Sequence, residues 1–269
     1  MKLYFILILI GLVQGISEFL PISSSGHLVL LYNLFGIDSS TILLSILFHI
    51  ATLLSVLIYY RKEILILIRH PFCPTNRKII VTTITTCLLV LLIKPIIDRL
   101  FDGKYIFAFF LITAILLLIS EYTYERKSIK NRIINISTPT IDITNLPITY
   151  KQSIIIGITQ GIACIPGISR SGSTIAVARM CGIGDCASDY SFLISIPIII
   201  ASLILEIMSG ESISTYPIIP LIISLIICSV VGLLSIRLVR KLTTKNKLSI
   251  FSYYLIIIST IMVIVSLSY

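Results

Sequence analysis

Two short stretches of an otherwise apolar chain hold the side chains able to do chemistry. The first, Gln14 to His27, carries Glu18, the hydroxyls of Ser23, Ser24 and Ser25, Gly26, and the imidazole of His27. The second, Gln160 to Thr174, carries Ser169, Arg170, Ser171, Gly172, Ser173 and Thr174. Together they offer one carboxylate, one imidazole, one guanidinium and a run of hydroxyls. An arginine among serines and glycine-rich backbone N–H groups suits a phosphate cradle, because a planar fork of donors matches phosphate oxygens. Gln14 and Glu18 are four apart on one helical face and offer oxygens to a divalent cation, Mg2+ or Ca2+. Such an ion would neutralise diphosphate charge and stabilise a transferring phosphoryl group. His27 follows Ser24 by three residues, close enough to act on it or on a bound water.

Plainer readings stand beside these. Glu18 and Arg170 can form a structural ion pair, although ionisable groups inside a membrane mark function by default. His27 can be a hydrogen-bonded core residue. Ser23, Ser25, Ser171 and Ser173 suit close helix contact as well as substrate contact. His49 sits mid-span and reads as a structural or supporting residue. Asp189 and Glu206 flank a span and read as interfacial. Lys94 and Arg179 read as snorkelling or loop charges.

The elements that must position these groups are membrane helices. Of 269 residues, 57% are hydrophobic and 12% charged, against about 25% charged in soluble proteins. Mean hydropathy is +1.06. No alternating strand pattern is present, so the fold class is an all-α integral membrane protein with one polytopic domain over residues 1–269. The net charge of +9 lies in loops between apolar segments, as a positive-inside topology requires, and does not indicate nucleic-acid binding. Six scattered cysteines show no metal spacing. The N-terminus runs straight into the polar stretch, which predicts that it is not a cleaved signal peptide.

Residues 42–60, 79–97, 105–122, 190–208, 217–236 and 250–268 read as full spans. The apolar pieces 3–13 and 28–36 are too short to cross, as are 152–163 and 174–184; a span needs roughly 20 residues. Each short pair therefore reads as a re-entrant hairpin whose polar tip lines a cavity. The basic loops 61–78 and 123–151 and the basic stretch 237–247 should be cytoplasmic. The turn from Asp98 to Lys104 and the loop bearing Glu211 should be external, with both termini outside.

The chain also repeats itself. Gly11–Gly26 aligns with Gly157–Gly172 at an offset of 146 without a gap, and eight of sixteen positions are identical. The shared residues are mainly glycine, serine and glutamine, which chance apolar similarity does not favour. Span 42–60 ends at a basic loop, whereas its counterpart 190–208 ends at an external one. The halves therefore cross in opposite senses. The expected architecture is an inverted-topology repeat, each half one re-entrant hairpin plus three transmembrane helices: repeat one 1–125, linker 126–146, repeat two 147–269. In such folds the broken elements meet near the midplane, where the site lies.

The motifs Gln14-x-x-x-Glu18, Pro21-Ile22-Ser23-Ser24-Ser25-Gly26-His27 and Pro166-Gly167-Ile168-Ser169-Arg170-Ser171-Gly172-Ser173-Thr174 resemble the signatures of the bacterial undecaprenyl-diphosphate phosphatases of the bacitracin-resistance type. The resemblance runs along nearly the whole chain, including Ser191-Phe192-Leu193 ahead of Pro197. It implies an integral hydrolase of the bacterial plasma membrane. That enzyme removes the terminal phosphate of undecaprenyl diphosphate, recycles the carrier lipid for peptidoglycan synthesis, and uses a divalent cation at a site open to the outer side. Carried over by position, Glu18, Ser24, His27 and Arg170 would be essential. Ser23, Ser25, Gly26, Ser169, Ser171, Gly172, Ser173 and Thr174 would bind substrate, and Glu18 with Gln14 would hold the metal. The nucleophile stays open between Ser24, His27 and water. The rival function is a polyprenyl-phosphate flippase, since inverted repeats with broken helices are transporter architecture. A homodimer is compatible with the sequence but not required by it.

Overall fold

The computed structural model describes residues 2–36, 42–100, 104–133, 143–208 and 217–268. The expectations for the centre of the Asp98–Lys104 turn, the middle of the 123–151 loop and the loop bearing Glu211 lie outside the described residues, as does the side chain of Glu206. The described chain is helical: α1 Lys2–Ser17, α2 Ser24–Phe35, α3 Ile42–Tyr59, α4 Arg61–Arg69, α5 Pro74–Leu100, α6 Ile106–Ile133, α7 Tyr150–Ile162, α8 Arg170–Met180, α9 Ala187–Met208, α10 Ile218–Thr244 and α11 Ser249–Ser268. Among the described residues, four stretches are long and apolar enough to cross a membrane: Pro74–Leu100, Ile106–Arg126, Gly184–Leu205 and Ile218–Thr244. Shorter apolar helices accompany them. The protein is a multi-pass helical membrane protein.

Helix α1 packs along α10 and α7 along α5, while α6 packs on α11 and α3 against α9 and α10. The two tightest contacts use glycine. A Cβ at Gly11 or Gly15 would fall 2.5 Å from the carbonyl oxygen of Ser224 or Cys228 on α10. A Cβ at Gly157 would fall 2.7 Å from the Thr82 carbonyl oxygen on α5, and one at Gly161 would fall 2.9 Å from the Leu89 side chain. Hydrocarbon supplies no hydrophobic drive between helices, so close backbone approach and interhelical hydrogen bonds take its place. Thr82 and Thr86 donate from α5 to the carbonyls of Ser153 and Gly157 at 3.1 and 2.9 Å. Between α3 and α10, Ser55 donates to the Ser229 carbonyl and Ser229 to the Ala51 carbonyl, at 2.8 and 2.9 Å.

Several local features differ from the sequence reading. The first apolar piece does not end at residue 13; α1 carries Gln14 and Ser17 in its last turn. The loop 61–78 contains α4, whose Ile64, Leu65, Leu67 and Ile68 make a short amphipathic helix with Leu67 buried. Lys78 is not a solvated loop charge: its Nζ donates to the Leu146 carbonyl at 3.0 Å, and Thr75 accepts from the Leu146 N–H. The end of the linker is thereby docked on α5. Arg179 is not a snorkelling charge either. It is fully buried, lies over the Tyr124 ring at 4.1 Å and donates to Asn246. Asp189 is buried too, accepting from Tyr60 at 2.7 Å and pairing with Arg240 at 3.1 Å. Lys94 is exposed, as expected.

Candidate active site

Each polar tip is a helix break followed by a capped helix start. The α1 ladder continues through Glu18 N–H to the Gln14 carbonyl and Leu20 N–H to the Ile16 carbonyl. It stops at Pro21, which has no N–H to donate. Ser23 then caps α2, accepting from the Gly26 N–H at 3.3 Å. Its φ of 70° is one that a residue with a Cβ seldom adopts, and such strain collects at functional sites. In the second tip Gly167 has φ 96° and lies against Phe109 and the Ile106 carbonyl, where a side chain would collide. Ser169 caps α8, accepting from the Gly172 N–H at 3.1 Å. Ser24 and Arg170, equivalent under the 146-residue offset, are the first residues of α2 and α8.

The tips touch. Ser171 donates to the Leu20 carbonyl at 3.2 Å. A Cβ at Gly172 would sit 3.0 Å from Pro21 Cβ, and one at Gly26 would sit 3.2 Å from Gly167 Cα and 2.5 Å from the Phe110 ring. Gly26→Ala should therefore displace the tip against the fully buried Phe110. Catalytic groups shifted by an ångström lose about 10²-fold in rate. The expected result is such a loss in turnover, read by phosphate release beside a thermal-unfolding control. An unchanged rate would show that the tip contact does not set the geometry.

Glu18 is the hub. It is 5% exposed and accepts from Ser24 Oγ at 2.7 Å and Gln14 Nε2 at 3.0 Å on one oxygen. Its other oxygen accepts from Arg170 Nη2. The first residues of α2 and α8 thus converge on one carboxylate. His49 Nδ1 stands 4.0 Å from the same oxygen that Arg170 contacts. His27 does not touch Ser24; its Nδ1 contacts the Ser23 carbonyl at 2.8 Å and its Nε2 the Tyr254 hydroxyl at 2.8 Å.

The other expected substrate-binding groups lie at the tips, with their hydroxyls already engaged in large part. Ser23 and Ser169 serve as caps, each also contacting the serine two residues on, Ser25 or Ser171, at 3.3 Å. Thr174 donates to the Arg170 carbonyl at 2.8 Å and contacts Ser191 at 2.5 Å. Ser173 Oγ is buried with no hydrogen-bond partner. Ser24, Ser25, His27 and Arg170 are the partly open members.

Gln14 Oε1 and His49 Nδ1 are buried and have no hydrogen-bond partner, and both residues adjoin Glu18. The orphaned amide oxygen beside a carboxylate fits a hard divalent ion, which takes oxygen ligands. Among the described residues no group of three or more His, Cys, Asp or Glu side chains converges, so any such site depends on the amide oxygen of Gln14. Sequence reasoning missed Tyr254 and gave His49 only a supporting place. Neither lies in a motif, and only the packing of α11 and α3 against the tips brings them in.

Comparison with known proteins supplies independent support. The family model described as bacitracin resistance protein BacA matches residues 7–261. A protein of Carboxydothermus hydrogenoformans named undecaprenyl-diphosphatase is 34% identical over 265 residues, covering 96% of this chain and 95% of that one. Proteins of the same name from Thermosipho africanus and Methanosphaera stadtmanae are each 37% identical, covering 94% and 96% of this chain and 97% and 96% of their own. With matches of this extent, the chain belongs to the BacA family.

Proposed function

We propose that this chain is an undecaprenyl-diphosphate phosphatase. It hydrolyses the terminal phosphate of undecaprenyl diphosphate, releasing undecaprenyl phosphate and inorganic phosphate, and so supports cell-wall lipid recycling and bacitracin resistance. The observation that carries the reading is the convergence of Ser24 and Arg170 on Glu18, from two tips that touch. That arrangement puts a hydroxyl nucleophile, an anion-binding fork and a carboxylate in one partly open place.

Arg170 binds the diphosphate with the guanidinium nitrogens that Glu18 leaves free. The first-turn N–H groups of α2 and α8 add donors for phosphate oxygens. Ser24 passes its proton to the Glu18 oxygen it already bonds as its Oγ attacks the terminal phosphorus. The bond to the bridging oxygen breaks and the lipid monophosphate leaves; Glu18 then returns the proton to the seryl oxygen as water attacks the phosphoserine and releases inorganic phosphate. Phosphoryl transfer of this kind depends on positioning and charge neutralisation more than on covalent elaboration. A divalent cation, Mg2+ or Ca2+, would be held by Glu18 and Gln14 with His49 adjacent; when bound it supplies neutralisation of diphosphate charge. His27, bonded to the Ser23 carbonyl and to the Tyr254 hydroxyl, exchanges protons with the site by way of that hydroxyl.

The architecture that supports this is an inverted-topology repeat, 1–125 and 147–269 about the linker 126–146, each half one re-entrant hairpin plus three spans. Support comes from paired roles: Gly11 and Gly15 on α10 against Gly157 and Gly161 on α5, and Ser23 and Ser169 as matched caps. The basic loops 61–78 and 123–151 support a cytoplasmic side for those loops, and a bacterial plasma-membrane location with a site open to the outer side is what the family resemblance implies.

The flippase reading is separated by one assay. Purified wild-type protein in detergent, given undecaprenyl or farnesyl diphosphate, should release phosphate, and a chelator should suppress the release. Ser24→Ala should lower it by about 10²–10⁴-fold, the range for removal of a reacting or proton-handling group. A transporter would release none. Full activity in Ser24→Ala would leave water as the nucleophile.

A further inference from the structure

His27 is the one histidine at the tips, and both of its ring nitrogens are occupied. The Ser23 carbonyl can only accept, so at 2.8 Å it fixes the proton on Nδ1. In the neutral ring this leaves Nε2 as the acceptor for its partner, the Tyr254 hydroxyl at 2.8 Å. The two rings lie within 11° of parallel with centroids 5.8 Å apart. Phe110 covers the imidazole from another side at 5.2 Å.

Tyr254 comes from the last helix, far from either tip in sequence, and its direction is set by the packing of α11. Leu255 and Phe251 are buried in the core. Ser259 donates to the Phe107 carbonyl at 2.9 Å. At the other end, the Ser249 N–H and hydroxyl both bond the Glu121 carboxylate, at 2.7 and 2.9 Å. Three anchors to α6 fix the rotation of α11, so Tyr254 faces His27 while its neighbour Tyr253 is left 60% exposed.

We infer that Tyr254 is a positioning residue for the reaction: it holds His27 in the Nδ1–H tautomer with Nε2 turned toward the phenol. The proposal rests on the reading of His27 as part of the hydrolytic site. With Nε2 bonded to the phenol, a proton reaches that one defined atom by way of the Tyr254 hydroxyl, and loss of the holding group costs rate more than binding. The phenol is partly open.

Tyr254→Phe keeps the ring and removes the hydroxyl, which leaves the packing of α11 in place. With farnesyl diphosphate, kcat should fall about ten- to hundredfold, the cost seen when a hydrogen-bond partner of a functional histidine is lost, while KM stays within about twofold. Nitrogen-15 NMR of histidine-labelled protein gives a direct readout. The chain has only three histidines, and His27→Gln identifies the signal. Wild type should show a protonated Nδ1 and a hydrogen-bonded bare Nε2; Tyr254→Phe should lose the Nε2 hydrogen bond or mix tautomers. Wild-type kcat with an unchanged His27 spectrum overturns the proposal. So does a raised KM at unchanged kcat, which would make Tyr254 a substrate contact. A His27→Gln protein of full activity removes His27 from the mechanism and Tyr254 with it. An inactive His27→Gln beside a fully active Tyr254→Phe defeats the Tyr254 role alone.

Discussion

Glu18→Gln should cost activity on the scale of Ser24→Ala and stability besides. The amide keeps the volume of the carboxylate but replaces one accepting oxygen by a donor. That donor must face either Ser24 Oγ or Arg170 Nη2, both of which now donate to Glu18. Arg170 loses its counter-ion in a site where the carboxylate is almost completely buried. Breaking a buried pair by removing one partner costs about 3–5 kcal/mol. The nucleophile loses its orienting acceptor at the same time, and the proposed cation site would lose its one charged ligand. Phosphate release should fall by about 10²–10⁴-fold. Thermal unfolding of the detergent-solubilised protein should report whether part of the cost falls on folding. Retention of more than a tenth of wild-type activity would remove Glu18 from the centre of the account.

Arg170→Lys is the second large effect. Arg170 opens α8, and its side chain is 20% exposed, so it reaches Glu18 with one nitrogen and keeps the remaining donors open to a ligand. A planar fork can hold a carboxylate and a phosphate at once; an ammonium is a compact point charge that can satisfy one of them. Lysine should preserve the pairing with Glu18, and hence the fold, while losing the phosphate contact. Turnover should drop by about 10²–10³-fold, the usual cost of removing a donor aimed at developing charge. Unfolding temperature should change little. Wild-type rates from Arg170→Lys would refute the cradle.

Much of this was legible in sequence for a physical reason. Glu18, His27 and Arg170 are costly inside a membrane, so their presence beside serines and glycines already pointed to function. The 146-residue offset paired Ser23 with Ser169 and Gly26 with Gly172, and each pair makes the same cap bond. The offset also related Ser24 to Arg170, but spacing could not say that both would turn to Glu18. His27 looked adjacent to Ser24 in sequence; the α2 turn instead points it at Ser23 and Tyr254. The burial of Arg179 was invisible because its partners Tyr124 and Asn246 come from α6 and the turn after α10. Helix α4 was hidden because its apolar residues form one short unbroken run, Ile64 to Ile68, between charges, and such a run carries no periodicity to read.

The central claim is that the two tips act as one unit through Glu18 and Arg170. A double-mutant cycle in phosphate release tests it most directly, using Glu18→Gln, Arg170→Gln and the pair under single-turnover conditions. Residues that act as a unit are strongly non-additive. The double variant should be no slower than the worse single variant by more than about threefold. Losses that multiply across the two sites would mean that the carboxylate and the guanidinium serve the reaction separately, and would contradict a shared phosphate site.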